Sequence, residues 1–236
     1  MEDDGFTLVT GKKAGNKSSG FGKFKKTSNG AHIRVDGTEK EIDEAMATSK
    51  SGIQKRGLGK WLCQKLESFT QKNRAIQKIF LIGNGHFDSA DQQGAHQLAL
   101  ILEIAQFFQC ELIFQEPVCS DAERNWLRKQ SSIKIREETN TKLEICVKPS
   151  DVVLLVMIHG EHEIFNEFLD FNWHKIDNLI VIGNNYGGVD WDLSKLSAGN
   201  PKINEFYRKS IITPFPEVYE PHNSAFSSTV IMYPKF

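Results

Sequence analysis

The chain has 236 residues, of which 39% are hydrophobic, and its formal net charge at pH 7 is -1. No apolar stretch approaches the roughly 20 residues of a membrane-spanning helix, and the early acids Glu2, Asp3 and Asp4 argue against a secretory signal. The four cysteines form no Cys-x-x-Cys pair. We therefore expect reduced thiols, no structural zinc, no membrane contact and a cytoplasmic location, with the nucleus as the alternative.

The two parts of the chain differ in charge. Residues 1–77 hold 15 Lys and Arg against 9 Asp and Glu, whereas residues 78–236 hold 14 against 21. Between residues 11 and 35, seven basic residues occur with no acid, and the apolar residues show no period. We therefore predict a disordered basic tail over residues 1–50 and a globular domain over residues 55–236. Because the domain is acidic, contact with nucleic acid is expected only through the tail.

The predicted elements of the domain alternate between helix and strand. Apolar residues at helical spacing predict a first helix at Leu58, Trp61, Leu62, Leu66 and Phe69. Two tetrapeptides that look like capping boxes predict helices starting at residues 89 and 120, the first running to about residue 109. Further helices are expected around residues 164–169 and 200–209. Predicted strands cover residues 78–83, 110–115, 133–135 and 151–158, and another apolar run predicts a strand that ends at residue 182. A last strand is predicted at residues 229–233, with no assigned place in the sheet.

Strands that alternate with helices predict an α/β fold of the Rossmann-like, doubly wound type, with a mostly parallel sheet of about five or six strands. The main strand runs are apolar at successive positions, which suits a sheet covered by helices on both faces. In the usual strand order 3-2-1-4-5, the first and fifth strands flank the fourth. Ligands of such sheets bind at the carboxyl ends of the strands, where the strand order reverses, so we expect the functional site there.

The tripeptide Ile-Gly-Asn occurs at the ends of two predicted strands, at Ile82-Gly83-Asn84 and Ile182-Gly183-Asn184. Glycine allows a sharp turn there, and asparagine tolerates left-handed backbone while offering a donor and an acceptor. In the expected strand order, the two corners bracket His159 at the carboxyl edge of the sheet. We therefore predict that Gly83, Asn84, Gly183 and Asn184 face one ligand-binding crevice, with ordinary tight turns as the alternative.

The loop after the first strand resembles part of a nucleotide-binding loop. Gly83 and Gly85 form a Gly-x-Gly pair, and Ser89 is predicted to begin the next helix. A phosphate, or the carboxylate of S-adenosylmethionine, would meet free backbone N–H groups at that helix N-terminus. Asp88 replaces the third glycine of the dinucleotide fingerprint and would repel a pyrophosphate, so dinucleotide binding is disfavoured.

Three further residues are candidates for the same crevice. Glu116 ends the second strand, where Rossmann-like proteins place an acid against ribose hydroxyls; a solvated loop acid is the alternative. His159 is a candidate for proton transfer or for a structural hydrogen bond, and its spacing from His162 matches no metal motif. Asn172 would bring an amide to the same loops, whereas the adjacent Trp173 suits the core. No serine or cysteine has the surroundings of a covalent nucleophile.

Six short blocks resemble the Sensitivity to Red Light Reduced family over residues 55–236. They occur in the family's order, at residues 79–99, 116–117, 137–138, 157–159, 171–173 and 181–186. The resemblance implies a Rossmann-like domain and a regulator of light signalling and circadian clock input, with a looser link to haem metabolism and no established enzymatic activity. The chain departs from the family where Gln115 replaces a tyrosine, Gly160 replaces a cysteine, and Ser227-Ser228 replaces Asn-Asp.

Three functions remain open on the sequence. The first is a non-enzymatic regulator whose crevice binds a small ligand or a protein partner. The second is a methyltransferase-like or nucleotide-handling enzyme that uses Asn84, Glu116, His159 and Asn184. The third is an RNA-associated adaptor that acts through the basic tail. The sequence does not identify a cofactor; haem and S-adenosylmethionine are the two candidates.

Overall fold

The computed structural model describes residues 24–26, 32–70, 74–145, 148, 150–187, 199–216 and 218–235. The strands are β1 (Phe24–Lys26), β2 (His32–Arg34), β3 (Ala75–Ile82), β4 (Glu111–Gln115), β5 (Ile133–Ile135), β6 (Asp151–Met157), β7 (Leu179–Asn184), β8 (Ser210–Pro214) and β9 (Thr229–Pro234). The helices are α1 (Glu39–Arg56), α2 (Leu58–Phe69), α3 (Gln93–Phe108), α4 (Asp121–Arg128), α5 (His162–Phe171) and α6 (Pro201–Lys209), and a 3-10 helix covers Trp173–Asn178.

Seven strands form the main sheet, in the order β5-β4-β3-β6-β7-β9-β8. The first five in this order are parallel, which confirms the predicted Rossmann-like α/β fold and its 3-2-1-4-5 core. The strand that had no assigned place is β9, which lies antiparallel between β7 and β8. The sheet has more strands than the five or six predicted, because β8 was not predicted. Most residues of β8 are half-buried or exposed, so its sequence has no apolar run.

The sheet separates two hydrophobic cores. Along β3, Ile79 and Leu81 face a core shared with α1 to α4, whereas Phe80 and Ile82 face a second core shared with α5 and α6. Both faces of the central strands are therefore covered. This explains why these strands are apolar at successive positions instead of alternating with polar residues.

Helix α1 corrects the predicted boundary of the tail. Residues 39–50 belong to this helix, which begins at a capping box between Thr38 and Glu41 and ends at Gly57 with φ 64°. Its buried face carries Ile42 and Ile53, so the domain begins before residue 39 and not at residue 55. β1 and β2 form a two-stranded antiparallel ladder within the same predicted tail. Residues 1–23 and 27–31 lie outside the described residues, and the RNA-adaptor hypothesis stays a prediction.

The two predicted capping boxes have different outcomes. Ser120 and Glu123 form the predicted box at the start of α4. At the other position the prediction is wrong, because α3 begins only at Gln93 and Ser89 Oγ instead accepts a hydrogen bond from the nearby Asp91 N–H. The preceding loop packs closely on the first turn of this helix, since a β-carbon at Gly94 would clash with two carbonyl oxygens of that loop.

Within the described ranges, no helix is both long and apolar enough to cross a membrane.

Candidate functional site

A cavity of about 300 Å³ opens at the carboxyl edge of the sheet, where β3, β4 and β6 end. This is the point at which the strand order reverses, and thus the predicted place of the site. We call this cavity the crevice. Its lining residues are Ile82, Gly83, Gly85, Gln115, Glu116, Pro117, Val118, Thr139, Thr141, Met157, His159, Gly160, Glu161 and Ile164.

Two glycines of the loop after β3 line the crevice. Gly83 and Gly85 have φ values of 68° and 70°, a left-handed backbone that favours glycine. A β-carbon on either residue would meet no atom within 4 Å. The loop thus follows a path that favours glycine and leaves open space above its backbone.

The second Ile-Gly-Asn does not form a matching corner. Gly183 lies inside β7, paired with Met157, and is absent from the described residues with positive φ. A β-carbon there would lie 3.2 Å from the Met157 carbonyl oxygen. The prediction of a turn at Gly183 is therefore wrong, because the strand continues through Asn184.

Glu116 is a fixed carboxylate with only 7% exposure. Its Oε2 accepts a hydrogen bond of 2.6 Å from the Gly85 N–H, and its Oε1 accepts one of 3.1 Å from the Val118 N–H. A carboxylate has about four lone-pair sites, so each oxygen keeps one for a further donor. Glu116 is therefore not the solvated loop acid of the alternative interpretation.

Asn84, His159 and Asn184 lie at the same edge of the sheet, as predicted. His159 has φ 56°, and its N–H donates to Asn184 Oδ1 at 2.8 Å, while Asn184 Nδ2 donates to the Gly160 carbonyl at 3.1 Å. Asn84 Nδ2 similarly donates to the carbonyls of Gly85 and Gly94. Both amides therefore hold the loops in place, and their predicted role in ligand binding stays a prediction.

The imidazole of His159 contacts protein at both ring nitrogens. Nδ1 lies 2.9 Å from Gln93 Oε1, and Nε2 lies 2.9 Å from the Ser227 carbonyl oxygen. The side chain thus joins the end of β6 to the start of α3 and to the segment before β9. This arrangement corresponds to the structural interpretation of His159 more closely than to proton transfer.

Gln115 presents an unpaired acceptor beside the crevice. The side chain is 4% exposed, and its Nε2 donates to the Asn140 carbonyl at 3.1 Å. Its Oε1 is buried and has no hydrogen-bond partner among the described residues. An unpaired buried acceptor is costly, so a ligand that brings a donor to this atom would stabilise the site.

Of the predicted site residues, Asn84, Gly183 and Asn184 are absent from the lining of the crevice, and Ser89 and Asn172 lie away from it. Ser89 lines a separate cavity of about 260 Å³ between α1 and the loop at residues 88–90. Asn172 is fully buried, accepts from the Ile145 N–H at 2.9 Å and donates to the carbonyls of Leu143 and Phe168. The predicted places of both residues are wrong. Asn172 ends α5, the helix that leads from the carboxyl edge to β7, and it joins that helix to residues 143–145.

Glu123 is a buried residue that supports the site and was predicted only as a helix cap. Its carboxylate accepts from the N–H groups of Phe87 at 2.6 Å and Ser120 at 2.8 Å, and its Oε2 lies 2.9 Å from His86 Nδ1. Burial alone would raise the pKa of Glu123, but these hydrogen bonds outweigh it and the pKa lies below its ordinary value. The capping box identified the residue, whereas its contact with the loop after β3 had no signal in the sequence.

The described cysteines are poorly suited to covalent chemistry. Burial raises the pKa of Cys119, close in sequence to the crevice residue Val118, to about 12, and that of Cys63 and Cys110 to about 11. A thiol must ionise to act as a nucleophile, and these thiols stay protonated at neutral pH. Nor does the described part of the chain contain a group of three or more side chains able to hold a metal ion.

A family model described as the SRR1 domain matches residues 62–233. The chain belongs to the SRR1 family. This match confirms the resemblance to the Sensitivity to Red Light Reduced family. The crevice, Gln115, Glu116 and His159 all lie within the matched part of this SRR1-domain protein.

Comparison with solved structures gives weak matches to this SRR1-domain protein. A Corynebacterium glutamicum protein is 14% identical with a TM-score of 0.43, covering 82% of this chain and 91% of its own. The plantazolicin methyltransferase BpumL with SAH is 11% identical with a TM-score of 0.41, covering 84% and 98%. Haemonchus contortus phosphoethanolamine N-methyltransferase 1 is 11% identical with a TM-score of 0.39, covering 82% and 44%. No curated protein matches the chain in sequence. These similarities are too low to transfer an activity.

Proposed function

We propose that this SRR1-domain protein is a regulator in an input pathway of the circadian clock, with a link to haem metabolism, and that a small ligand in the crevice controls it. Membership of the SRR1 family supports the regulatory role. The location of the crevice, where open α/β sheets bind ligands, supports the ligand.

The contacts of His159 are the observation that favours a binding role of the crevice over a catalytic role. A residue that transfers protons needs a ring nitrogen within hydrogen-bond reach of the substrate. Both ring nitrogens of His159 lie 2.9 Å from protein acceptors, Gln93 Oε1 and the Ser227 carbonyl. The side chain most suited to acid–base chemistry in the crevice is thus engaged in holding its loops together.

The test is a rescue experiment in cells that lack this protein, read out by the period and amplitude of a clock-controlled reporter. We expect the loss to alter the rhythm and the wild-type chain to restore it. The variant Val118→Trp should fail to restore it, because Val118 is 56% exposed and lines the crevice, which the larger side chain would fill.

The matched control is Val218→Trp, at a valine that is 65% exposed and lies outside the crevice. This variant should restore the rhythm as well as the wild type does. Equal rescue by both variants, with equal thermal unfolding temperatures, would contradict control through the crevice. An unchanged rhythm in cells without the protein would contradict the clock role itself.

A second candidate is an enzyme of the methyltransferase or nucleotide-handling type. The position of Glu116 favours it, because an acid at the end of the second strand contacts ribose hydroxyls in Rossmann-like proteins. Conversion of S-adenosylmethionine to S-adenosylhomocysteine in the presence of cell extract, abolished by Glu116→Ala, would establish this candidate. Turnover that is the same without the protein would eliminate it.

A further inference from the structure

We propose that the crevice binds a nucleoside that carries no phosphate group, with the ribose diol on Glu116 and the base against the apolar side chains beside it. This inference rests on the ligand-binding role proposed above and specifies the chemical class of the ligand. Five features of the structure lead to it.

The carboxylate of Glu116 is arranged to receive two neighbouring hydroxyl groups. Each of its oxygens already accepts one backbone N–H, from Gly85 and from Val118. These bonds fix the plane of the carboxylate and leave one lone-pair site on each oxygen. Two vicinal hydroxyls of a ribose would use both remaining sites without displacing a protein donor.

The size and walls of the crevice fit a single nucleoside. About 300 Å³ is at the lower end of the range for small-molecule sites, which is too small for a dinucleotide. Val118, Met157 and Ile164 give the walls apolar surface on which a planar base can pack. Val118 is one of the few large apolar side chains left exposed in the described structure, and it lies two residues from Glu116.

Gln115 supplies an independent polar feature of the site. The residue lines the crevice and is 96% buried, and its Oε1, itself buried, has no hydrogen-bond partner in the described structure. An amino or ring N–H group of a base would donate to this oxygen once the amide turns towards the crevice, because the oxygen itself is buried. The exocyclic and ring nitrogens of nucleobases provide such donors, whereas a purely apolar ligand would leave the oxygen unpaired.

The charge of the crevice opposes a phosphate. Among the lining residues that the structure describes, none is Lys or Arg, and two are the acids Glu116 and Glu161. Nearby arginines are engaged with other groups: Arg124 pairs with Glu137, and Arg136 donates to Asn140 Oδ1 at 2.7 Å. A phosphate in the crevice would therefore meet two carboxylates and no Lys or Arg among the described lining residues.

The place where Rossmann-like proteins bind a phosphate is already filled by the protein. That place is the N-terminus of the helix after the first strand, which here is the start of α3. The carbonyl oxygens of Asn84 and His86 lie so close to Gly94, in the first turn, that a β-carbon there would clash with both. The preceding side chain, Gln93, is held between His159 and Ser224.

The experiment measures binding to the full chain by isothermal titration calorimetry. The probes are adenosine, guanosine, cytidine and uridine, each compared with its 5′-monophosphate and with its 2′-deoxy and 3′-deoxy forms. We expect at least one ribonucleoside to bind. Its monophosphate should bind at least about ten-fold more weakly because of the carboxylates, and each deoxy form should lose about ten-fold because a charge-assisted hydrogen bond is removed.

The variant Glu116→Gln should weaken the binding of that nucleoside about ten-fold or more, and Gln115→Leu should weaken it as well. Glu67→Gln, at an exposed acid on α2, is the matched control and should bind as the wild type does. Circular dichroism shows whether each variant is folded, and the deoxy nucleosides test the same hydrogen bonds without any substitution.

Failure to bind any of the four nucleosides, or tighter binding of a monophosphate, would overturn the inference. Its failure is distinguishable from failure of the proposed function. If Val118→Trp loses clock rescue although no nucleoside binds, control through the crevice stands and the ligand belongs to another class. If a nucleoside binds as expected but Val118→Trp restores the rhythm, the ligand assignment stands and control through the crevice is wrong.

Discussion

Glu116 and Glu123 are both nearly inaccessible to solvent, and both accept hydrogen bonds from backbone N–H groups of the loop after β3. Glu116 holds Gly85, which lines the crevice, and Glu123 holds Phe87 two residues later. Buried carboxylates are stable only when they are well hydrogen-bonded. The shape of this loop therefore depends on two acids from elements that follow it in the chain.

Replacement of Glu123 by glutamine should lower the free energy of unfolding at pH 7 by about 2 kcal/mol, because an amide cannot replace all the hydrogen bonds of the carboxylate. The pKa of Glu123 lies below its ordinary value of 4.5 in the folded chain. Its stabilising contribution is thus present above pH 4.5 and is lost as the pH falls below that value. Urea unfolding between pH 3 and pH 7 should therefore give a shallower pH dependence for the variant.

Glu67→Gln is the control for this measurement, because Glu67 is exposed on α2. It should leave both the free energy of unfolding at pH 7 and its pH dependence close to those of the wild type. Identical pH profiles for Glu123→Gln and the wild type would show that the Glu123 carboxylate does not stabilise the fold.

At the scale of single elements, α1 makes the N-terminal region part of the domain. The helix packs against α3 and α4, and Ile42 and Ile53 are completely buried on that face. These side chains cover a core that includes Leu98 and Ile101 of α3. Removing α1 would expose this core to water, so we expect stability to depend on residues before the start of the SRR1-family match at residue 62.

The variant Ile42→Ala should lower the free energy of unfolding by about 3 kcal/mol, since truncating a buried isoleucine removes apolar contacts and leaves a cavity. Lys40→Ala lies on the exposed face of the same helix and should change the free energy by less than about 0.5 kcal/mol. Chemical denaturation followed by circular dichroism measures both. Similar small effects of the two variants would mean that α1 is dispensable for the fold.

The sequence predicted the elements whose patterns are local. β6 is a continuous apolar run, and α4 has its capping box, so both were predicted. α1 also has a box at Thr38 and Glu41, but it follows the basic stretch of residues 11–35 and was grouped with it in the predicted tail. β8 has too few buried residues to form a pattern.

The site was predictable only in its position, because the topology places the strand ends together. The partners of its side chains come from distant parts of the chain. Asn184 binds the backbone of His159, 25 residues earlier, and Gln93 contacts His159, 66 residues later. Such pairs have no periodicity that a single sequence reveals. This is why Asn184 was predicted as a ligand-binding group and its role in holding the loop was missed.

At the scale of the whole molecule, the segment between β8 and β9 packs over the start of α3. Gln93 Nε2 donates to Ser224 Oγ at 3.1 Å, and Gln97 Nε2 donates to the Ala225 carbonyl at 2.9 Å. His96 Nδ1 lies 2.9 Å from the Tyr219 hydroxyl. One face of α3 thus holds this segment beside the crevice.

The variant Gln93→Ala should loosen this segment without unfolding the domain, because it removes the contacts with both His159 and Ser224. Hydrogen–deuterium exchange should become faster in residues 219–228, and the global free energy of unfolding should change by less than about 1 kcal/mol. Gln106→Ala, at an exposed glutamine of the same helix, should leave exchange unchanged. Equal exchange in both variants would show that Gln93 does not hold the segment.

Because β9 follows β8 in the chain, the sheet stays incomplete during synthesis until β9 has been made. β9 is translated after β8, yet it inserts between β7 and β8 and pairs with both. While the ribosome has not yet released β9, β7 presents an open edge, and β8 has no neighbour among the described strands with which to pair. Open edges of this kind favour aggregation. A premature stop codon just before residue 229 would therefore remove an interior strand of the sheet and release a truncated chain with these edges exposed.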